Sequence, residues 1–292
     1  MATGPTRVAL LGLGLIGGSI ARALHADAGR WSVAAWTPNG MSPRTAHNAG
    51  IIDRAARTPA DAVDGADLIV IAAPPLDCLD LLRDIAGPLR PTLAPDAVIT
   101  DVASTKATID ALARDLGLRF VGGHPMAGRE ASGFAASDAR LFTGRPWVVV
   151  PPPDADEAAI ARVEHLATTC GARTMRLSAA EHDRAVAAIS HLPLVLSAAL
   201  VEAVAGSPGD PRADWALASG LASGGWESMT RLARGDVEMG TGIAATNAGE
   251  IAARLRDVRE VMDAWIAALD RPDTDGIRDR LTAARSVLTD GD

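Results

Sequence analysis

Short apolar runs recur through the first 177 residues, each followed by turn residues and then by a stretch with helical spacing. R-V-A-L-L (7–11), S-V-A-A-W (32–36), D-L-I-V-I-A-A (67–73), A-V-I-T-D (97–101), R-F-V (119–121), W-V-V-V (147–150) and A-R-T-M-R-L (172–177) read as strands. Between them the spacing predicts a helix from about Leu15 to Ala26, and a short one capped by Ser42 and stopped by Gly50. Another covers 76–86 after Pro74-Pro75, and a fourth is capped by Asp154 and reaches Cys170, with Gly171 as its stop. This alternation is the signature of parallel βαβ units, so residues 1–177 are expected to form a doubly wound, mostly parallel α/β domain. After it the texture changes. Ser178 and Glu181 fit a capping box that opens a long Ala- and Leu-rich helix to about Ala205, ended by Gly206, Pro208, Gly209 and Pro211. The remainder reads as helical without strands, which predicts an all-α domain over 178–292.

Composition narrows the functional classes. A hydrophobic share of 48% and a charged share of 22% are those of a globular protein. The net charge of −8 comes with no basic block, which argues against nucleic acid and anionic membrane as partners. A small anionic substrate is compatible, since one or two local arginines suffice to hold it. The first residues lack a signal-like apolar run, and no segment offers about 18 unbroken apolar residues, so a cytoplasmic protein is expected. Cys78 and Cys170 stand in dissimilar contexts and suggest neither a disulfide framework nor zinc. Lys106 is the only lysine among 28 basic residues. A compact ammonium differs from a planar guanidinium, so Lys106 either fills a place where arginine would not serve or survives by chance on a helix's first turn.

The chemistry-bearing segments lie at strand ends. G-L-G-L-I-G (12–17) follows the first strand and opens a helix. There Gly12 makes the tight turn, Gly14 lets backbone approach a pyrophosphate, and Gly17 permits close helix packing. The helix start at Leu15 and Ile16 offers its amides to the phosphates. This is a dinucleotide-binding (Rossmann) signature, with Thr37 after the second strand and Ala73-Pro74 after the third expected to line the same site. An acid usually accepts the adenosine ribose hydroxyls in NAD sites; Thr37 stands there, so both NAD and NADP are open. In V-G-G-H-P-M-A-G-R-E (121–130), His124 is the one titratable ring, suited to exchange a proton with a substrate hydroxyl. D-V-A-S-T-K (101–106) ends the preceding strand; Ser104 either contacts a substrate hydroxyl or His124, or is a plain N-cap. His182, Asp183 and His191 lie on the long helix. Nine residues at about 100° each place the two histidines on opposite faces of a straight helix, which argues against a shared metal site. Pro193 is expected to kink that helix. Arg231 has Glu227 at i−4, the spacing of a surface ion pair.

Taken together, these segments resemble the prephenate/arogenate dehydrogenase family, the cyclohexadienyl dehydrogenases of tyrosine biosynthesis. The resemblance rests on L-G-L-G-L-I-G-G-S (11–19), D-V-A-S-T-K, G-H-P-M-A-G-R-E-x-S-G-F (123–134) and R-P-W-V-V (145–149). H-D-x-x-x-A-x-I-S-H-L-P (182–193) and T-R-L-A-x-G-D (230–236) complete it. It implies a Rossmann domain, a helical domain that pairs two subunits, and NAD(P)-dependent oxidative decarboxylation of an anionic cyclohexadiene. His124 matches the family's catalytic histidine, Ser104 the serine on the same hydroxyl, and Arg231 the arginine that binds a substrate carboxylate. His191 and Lys106 are expected at the substrate as well. The sequence departs from the family at Leu194, where many members have a second histidine, and at Thr37. The sequence ends at Asp292 without room for the regulatory ACT module of some relatives, so feedback inhibition by tyrosine, if present, is expected to act through the active site. The alternatives are a relative acting on an amino-substituted prephenate in secondary metabolism, or a non-catalytic NAD(P)-binding redox sensor.

Overall fold

The computed structural model describes residues 4–289 except 28, 130, 208, 271 and 272, so Glu130 and Pro208 lie outside the described residues. The first half alternates as the hydrophobic pattern requires. In order come β1 (Thr6–Leu11), α1 (Leu15–Ala26), β2 (Trp31–Trp36), α2 (Met41–Asn48), β3 (Arg54–Ala55), α3 (Pro59–Val63), β4 (Leu68–Ile71) and α4 (Pro75–Ala86). Then follow β5 (Val98–Asp101), α5 (Ala107–Asp115), β6 (Gly122–Pro125), β7 (Pro146–Val150), α6 (Glu157–Thr169) and β8 (Arg173–Arg176). Five strands form a parallel sheet in the order β3-β2-β1-β4-β5. A three-stranded sheet, β6-β7-β8, continues from it through the Ile99–Phe120 bridge. Within that sheet β6 runs antiparallel to β7, and β7 parallel to β8. Side chains of β1 alternate between two apolar clusters: Val8 and Leu10 pack on one face with Val33, Val70 and Trp147, Ala9 and Leu11 on the other with Ile69, Ile71 and Leu82. Both faces are thus covered by helices, the condition that makes an almost continuous apolar strand stable.

The boundaries differ from the sequence pattern in instructive places. The strand expected at 119–121 lies at 122–125, through two glycines. A Cβ on Gly123 would come within 2.8 Å of the Asp101 carbonyl oxygen, so tight packing overrides glycine's poor strand propensity. Ser42 does not cap α2; Gly40 in the left-handed region is the N-cap residue, and the Asn39 side chain accepts from the Met41 amide (3.0 Å). Asp156, not Asp154, caps α6, because its carboxylate accepts from Ala159 N while Arg119 holds it with two hydrogen bonds of 2.8 Å. The short β3 and α3 have too few residues to show a periodicity.

The second half is helical: α7 (Ala179–Val186), a π-helical turn (Ala187–His191), α8 (Leu192–Ala205), α9 (Trp215–Gly220), α10 (Gly224–Thr230) and α11 (Val237–Thr246). The Ser178–Glu181 capping box is present. Two short strands, Gly206–Ser207 and Asp210–Pro211, form a small antiparallel hairpin where none was expected. By contacts the chain divides into residues 1–248 and 249–292. The first unit extends past residue 177 because the later helices bond to the start of α5. Asp183 accepts from the Lys106 and Ala107 amides, and Thr246 bonds to Thr105 (2.8 Å) and Thr108 (3.0 Å). The second unit comprises most of α12 (Ala248–Asp270) and α13 (Thr274–Thr289).

Residues 179–205 form one rod with a mean hydropathy of 1.7 in its most apolar window, enough by length and composition to cross a membrane. Only 22% of that window is buried. The rod's first turns carry Glu181, His182, Asp183 and Arg184, and His182 and Asp183 are buried against the sheet domain's own residues. In α8 only Ser197 is buried.

Candidate active site

In a parallel sheet the crevice lies beyond the carboxyl ends of the strands, and the residues expected there are delivered by β1, β2, β4 and β5. The turn after β1 is closed tightly at two glycines: a Cβ on Gly12 (φ +110°) would lie 2.1 Å from Ala72 O, and one on Gly17 would lie 2.3 Å from Gly12 O. Gly14 differs, since a Cβ there would meet nothing within 4 Å. Gly14 is the N-cap residue of α1 and no side chain caps that helix. The first turn of α1 thus begins beside the open space at Gly14 and at the positive end of the helix dipole, as a pyrophosphate requires. Thr37 follows β2, its hydroxyl 3.3 Å from Asn39 Oδ1, and Ala73 and Pro74 lead from β4 into α4. No acid stands in the first turn of α2. The geometry fits a dinucleotide.

Next to this turn, β5 ends in Asp101, paired in register with Ile71 of β4. Asp101 is fully buried; its carboxylate accepts from the amides of Ala103 and Gly123 (both 3.1 Å) and forms an ion pair with Lys106. Lys106, expected at the substrate, is only 1% exposed and its ammonium is turned into the domain. Its charge is used to neutralise a buried carboxylate, a pairing that burial makes mandatory. Ser104 does not cap α5 either; Lys106 is the N-cap residue, and Ser104 Oγ is buried without a hydrogen-bond partner.

His124, in the middle of β6, has its Nδ1 2.8 Å from His182 Nε2, and the two rings meet edge to face. His182 Nδ1 is 2.7 Å from Asp183 Oδ1. The Asp183 carboxylate also accepts from Lys106 N (2.7 Å) and Ala107 N (2.8 Å), at the start of α5. Burial holds the His124 imidazolium pKa well below the ordinary histidine value, and the neighbouring His182, Lys106 and His191 push it the same way. The ring is therefore neutral at physiological pH. His191 is also buried, which lowers its pKa to about 4; His182 adds to the shift, and Asp183 and the Ser104 backbone oppose it.

The tautomer of His191 follows from Asn247. The amide nitrogen of Asn247 donates to the Asp183 carbonyl (2.9 Å), which can only accept, and its second hydrogen faces His191 Nδ1 at 3.1 Å. His191 Nδ1 is therefore the acceptor, and the proton sits on Nε2, which makes no well-directed hydrogen bond and has the Ser104 backbone as a neighbour. Two polar atoms short of hydrogen bonds, Ser104 Oγ and His191 Nε2, thus accompany His124. Such atoms are costly unless a ligand satisfies them.

The straight-helix placement of His182 and His191 on opposite faces does not hold. The π turn at 187–191 widens the winding between them, and both rings act on His124. Pro193 sits in the first turn of α8, directly after the π turn, so the expected disturbance takes this form. Among the described residues no group of three or more His, Cys, Asp or Glu side chains is placed to hold a metal ion. Arg231 opens a 3-10 turn (Arg231–Arg234) and lines a cleft of about 990 Å³ together with Gly128, Arg129, Glu227 and Arg234. Gly128 and Arg129 belong to the segment that leaves β6 just after His124. Leu194, at the family histidine's place, makes an apolar approach to Gly240 in α11. His182, Asp183 and Asn247 were not assigned to the site from sequence. The adjacent His-Asp pair in a capped first turn was the available signal, whereas Asn247 gave none.

Comparison with known proteins agrees with this layout. The family model for the prephenate dehydrogenase nucleotide-binding domain matches residues 20–176, and that for the prephenate dehydrogenase dimerization domain matches residues 178–283. The chain belongs to the prephenate dehydrogenase family. Its similarity to the prephenate dehydrogenase of Bacillus subtilis is 30% identity over 267 residues, covering 90% of this chain and 68% of the relative. Among solved structures, Synechocystis arogenate dehydrogenase superposes with a TM-score of 0.79 at 29% identity, covering 98% of this chain and all of the other. A family structure from A. aeolicus, a prephenate dehydrogenase with hydroxyphenyl propionate and NAD+, gives a TM-score of 0.86 over the full length of both chains. At 24% identity it speaks for the shared fold alone.

Proposed function

We propose that this protein is an NAD(P)+-dependent oxidoreductase that converts a cyclohexadienol bearing a ring carboxylate, prephenate or arogenate, into the corresponding phenol and CO2. The observation that carries the reading is the neutral His124 at the sheet's carboxyl edge, accompanied by Ser104 Oγ and His191 Nε2, both short of hydrogen bonds. In this reading His124 accepts the proton of the substrate's ring hydroxyl, Ser104 bonds the same oxygen, and His191 donates through Nε2. Arg231 holds a carboxylate through a charge-assisted pair. NAD(P)+, held by the turn after β1, would supply the hydride acceptor for the carbon that carries the hydroxyl. Loss of the ring carboxylate then makes the ring aromatic, so the protein's task is to orient the reactants and take one proton. A redox sensor would have no use for a half-buried neutral base beside two polar atoms short of hydrogen bonds. We further propose that the division between nucleotide-binding and helical modules lies near residue 177, that two subunits pair through the helical half, and that the enzyme works in the cytoplasm.

The test is His124→Asn assayed with prephenate and with arogenate, each with NAD+ and NADP+. Cofactor affinity should stay unchanged while kcat falls by about 10²–10⁴-fold, the usual worth of general base help. Because the His124 pKa is lowered, the neutral, active ring persists as pH falls below the ordinary histidine range and is lost only beneath the depressed value. The acidic limb of kcat/KM in the unmodified enzyme should therefore lie well below pH 6.5, the ordinary histidine value, and vanish in the variant. A near-normal rate for His124→Asn removes the base from the mechanism.

A further inference from the structure

The polarity of the His124–His182–Asp183 chain can be deduced atom by atom. Both oxygens of Asp183 accept backbone amides, from Lys106 and Ala107, so the group is a carboxylate and can only accept. The hydrogen between Asp183 Oδ1 and His182 Nδ1 therefore belongs to His182. With His182 neutral, its Nε2 is a lone pair and the hydrogen in the 2.8 Å contact comes from His124 Nδ1; a cationic His182 would reverse that bond. That leaves His124 Nε2 as the lone pair. In the opposite tautomer His124 would present an N–H and could not accept a proton.

We propose that His182 and Asp183 are positioning residues of the reaction: they lock His124 in the Nδ1-protonated tautomer, so that Nε2 is the base, and they stabilise the imidazolium formed when it takes the proton. The inference rests on the reading of His124 as the base and adds what makes it one. When the substrate hydroxyl gives its proton to His124 Nε2, Nδ1–H stays bonded to His182 Nε2 and no bond in the chain has to break. The new positive charge faces His182, Lys106 and His191. Lys106 is already neutralised by Asp101, and Asp183 is the remaining anion in the chain. It is held at the N-terminus of α5, where an anion is favoured, so its own position is fixed independently of the histidines.

The ring 15N resonances of His124, recorded on the full-length protein without substrate, test this directly and should show Nδ1 protonated and Nε2 bare. In Asp183→Asn the amide oxygen keeps the place of Oδ1, where Lys106 N and His182 Nδ1 both donate, so the tautomer should stay while the anion is lost. kcat should then fall by tenfold or more with substrate KM within a few-fold, about one pKa-unit equivalent of lost imidazolium stabilisation. A second pair guards against loss of fold. His182→Gln can place a carbonyl oxygen where Nε2 accepts, so it should retain at least tenfold more activity than His182→Leu, about one pKa-unit equivalent of differential stabilisation. An Nε2-protonated His124 in the unmodified protein overturns the proposal, as does equal activity of the two His182 variants. These outcomes are separate from the test of His124 itself. If His124→Asn keeps its rate while the unmodified protein shows His124 with Nδ1 protonated and Nε2 bare, the base assignment fails and the hydrogen-bond polarity stands.

Discussion

Arg231 and His124 illustrate two ways in which a charged or titratable group is tied to its task. Arg231 begins a 3-10 turn whose position is set from below, because Ala233 N donates to Ser197 Oγ, the only buried side chain of α8. A guanidinium at such a turn, lining a cleft with Arg129 and Arg234, suits a substrate carboxylate. The ring carboxylate leaves as CO2, so its charge declines toward product and the contact serves the ground state. Arg231→Ala should therefore raise substrate KM by tenfold or more, roughly one charge-assisted hydrogen bond, and lower kcat much less. Steady-state kinetics that show an unchanged KM would return Arg231 to a structural role. At this scale the sequence singled out His124, Ser104 and Arg231 as candidates through their motifs. It did not reveal that Lys106 is consumed by Asp101, or that His182 and Asp183 stand behind His124. Those are contacts between residues far apart in the chain, and spacing holds no information about them.

Among the elements, the rod of residues 179–205 carries most of what periodicity could not show. The capping box and the length of the rod were legible because they depend on neighbours three and four residues apart. The π turn was not, since an extra residue in the winding leaves no mark on an Ala-rich pattern. Its effect is to turn His191 toward Asn247 while His182 keeps its place against His124. Deleting Ala188, an exposed residue within the π turn, should restore plain α-helical winding and rotate one half of the rod by about 100° against the other. One of the two histidine contacts must then break. Far-UV circular dichroism should stay near that of the unmodified protein while kcat drops by about 10²-fold or more. Full activity in the deletion variant would mean that the winding is irrelevant to the site. The sheet shows the opposite case. Its strands other than the short β3 were readable from apolar runs, and the one that moved, β6, was displaced by glycines whose purpose lies in the close approach to Asp101 rather than in chain direction.

For the whole molecule, the unsatisfied surface is apolar. Ile189, Leu217, Leu221, Met229 and Val237 are all more than 60% exposed, and they lie in the part matched by a dimerization domain. A single chain leaves this area in water, whereas two copies can cover it. Light scattering at micromolar concentration should give twice the mass of one chain; a monomer would contradict the pairing. The composition that argues against a nucleic-acid partner was legible at once, but which apolar residues would remain uncovered needed the fold. The buried Lys106 has a consequence of another kind. Since it is the only lysine in the sequence and 1% exposed, a folded molecule offers no lysine side chain to acylating labels, reductive methylation or lysine-directed cross-linkers. Acylation at Lys106 requires the Asp101 pair to open, so its rate is a clock for the opening of the nucleotide-binding half, read by mass spectrometry from a single peptide.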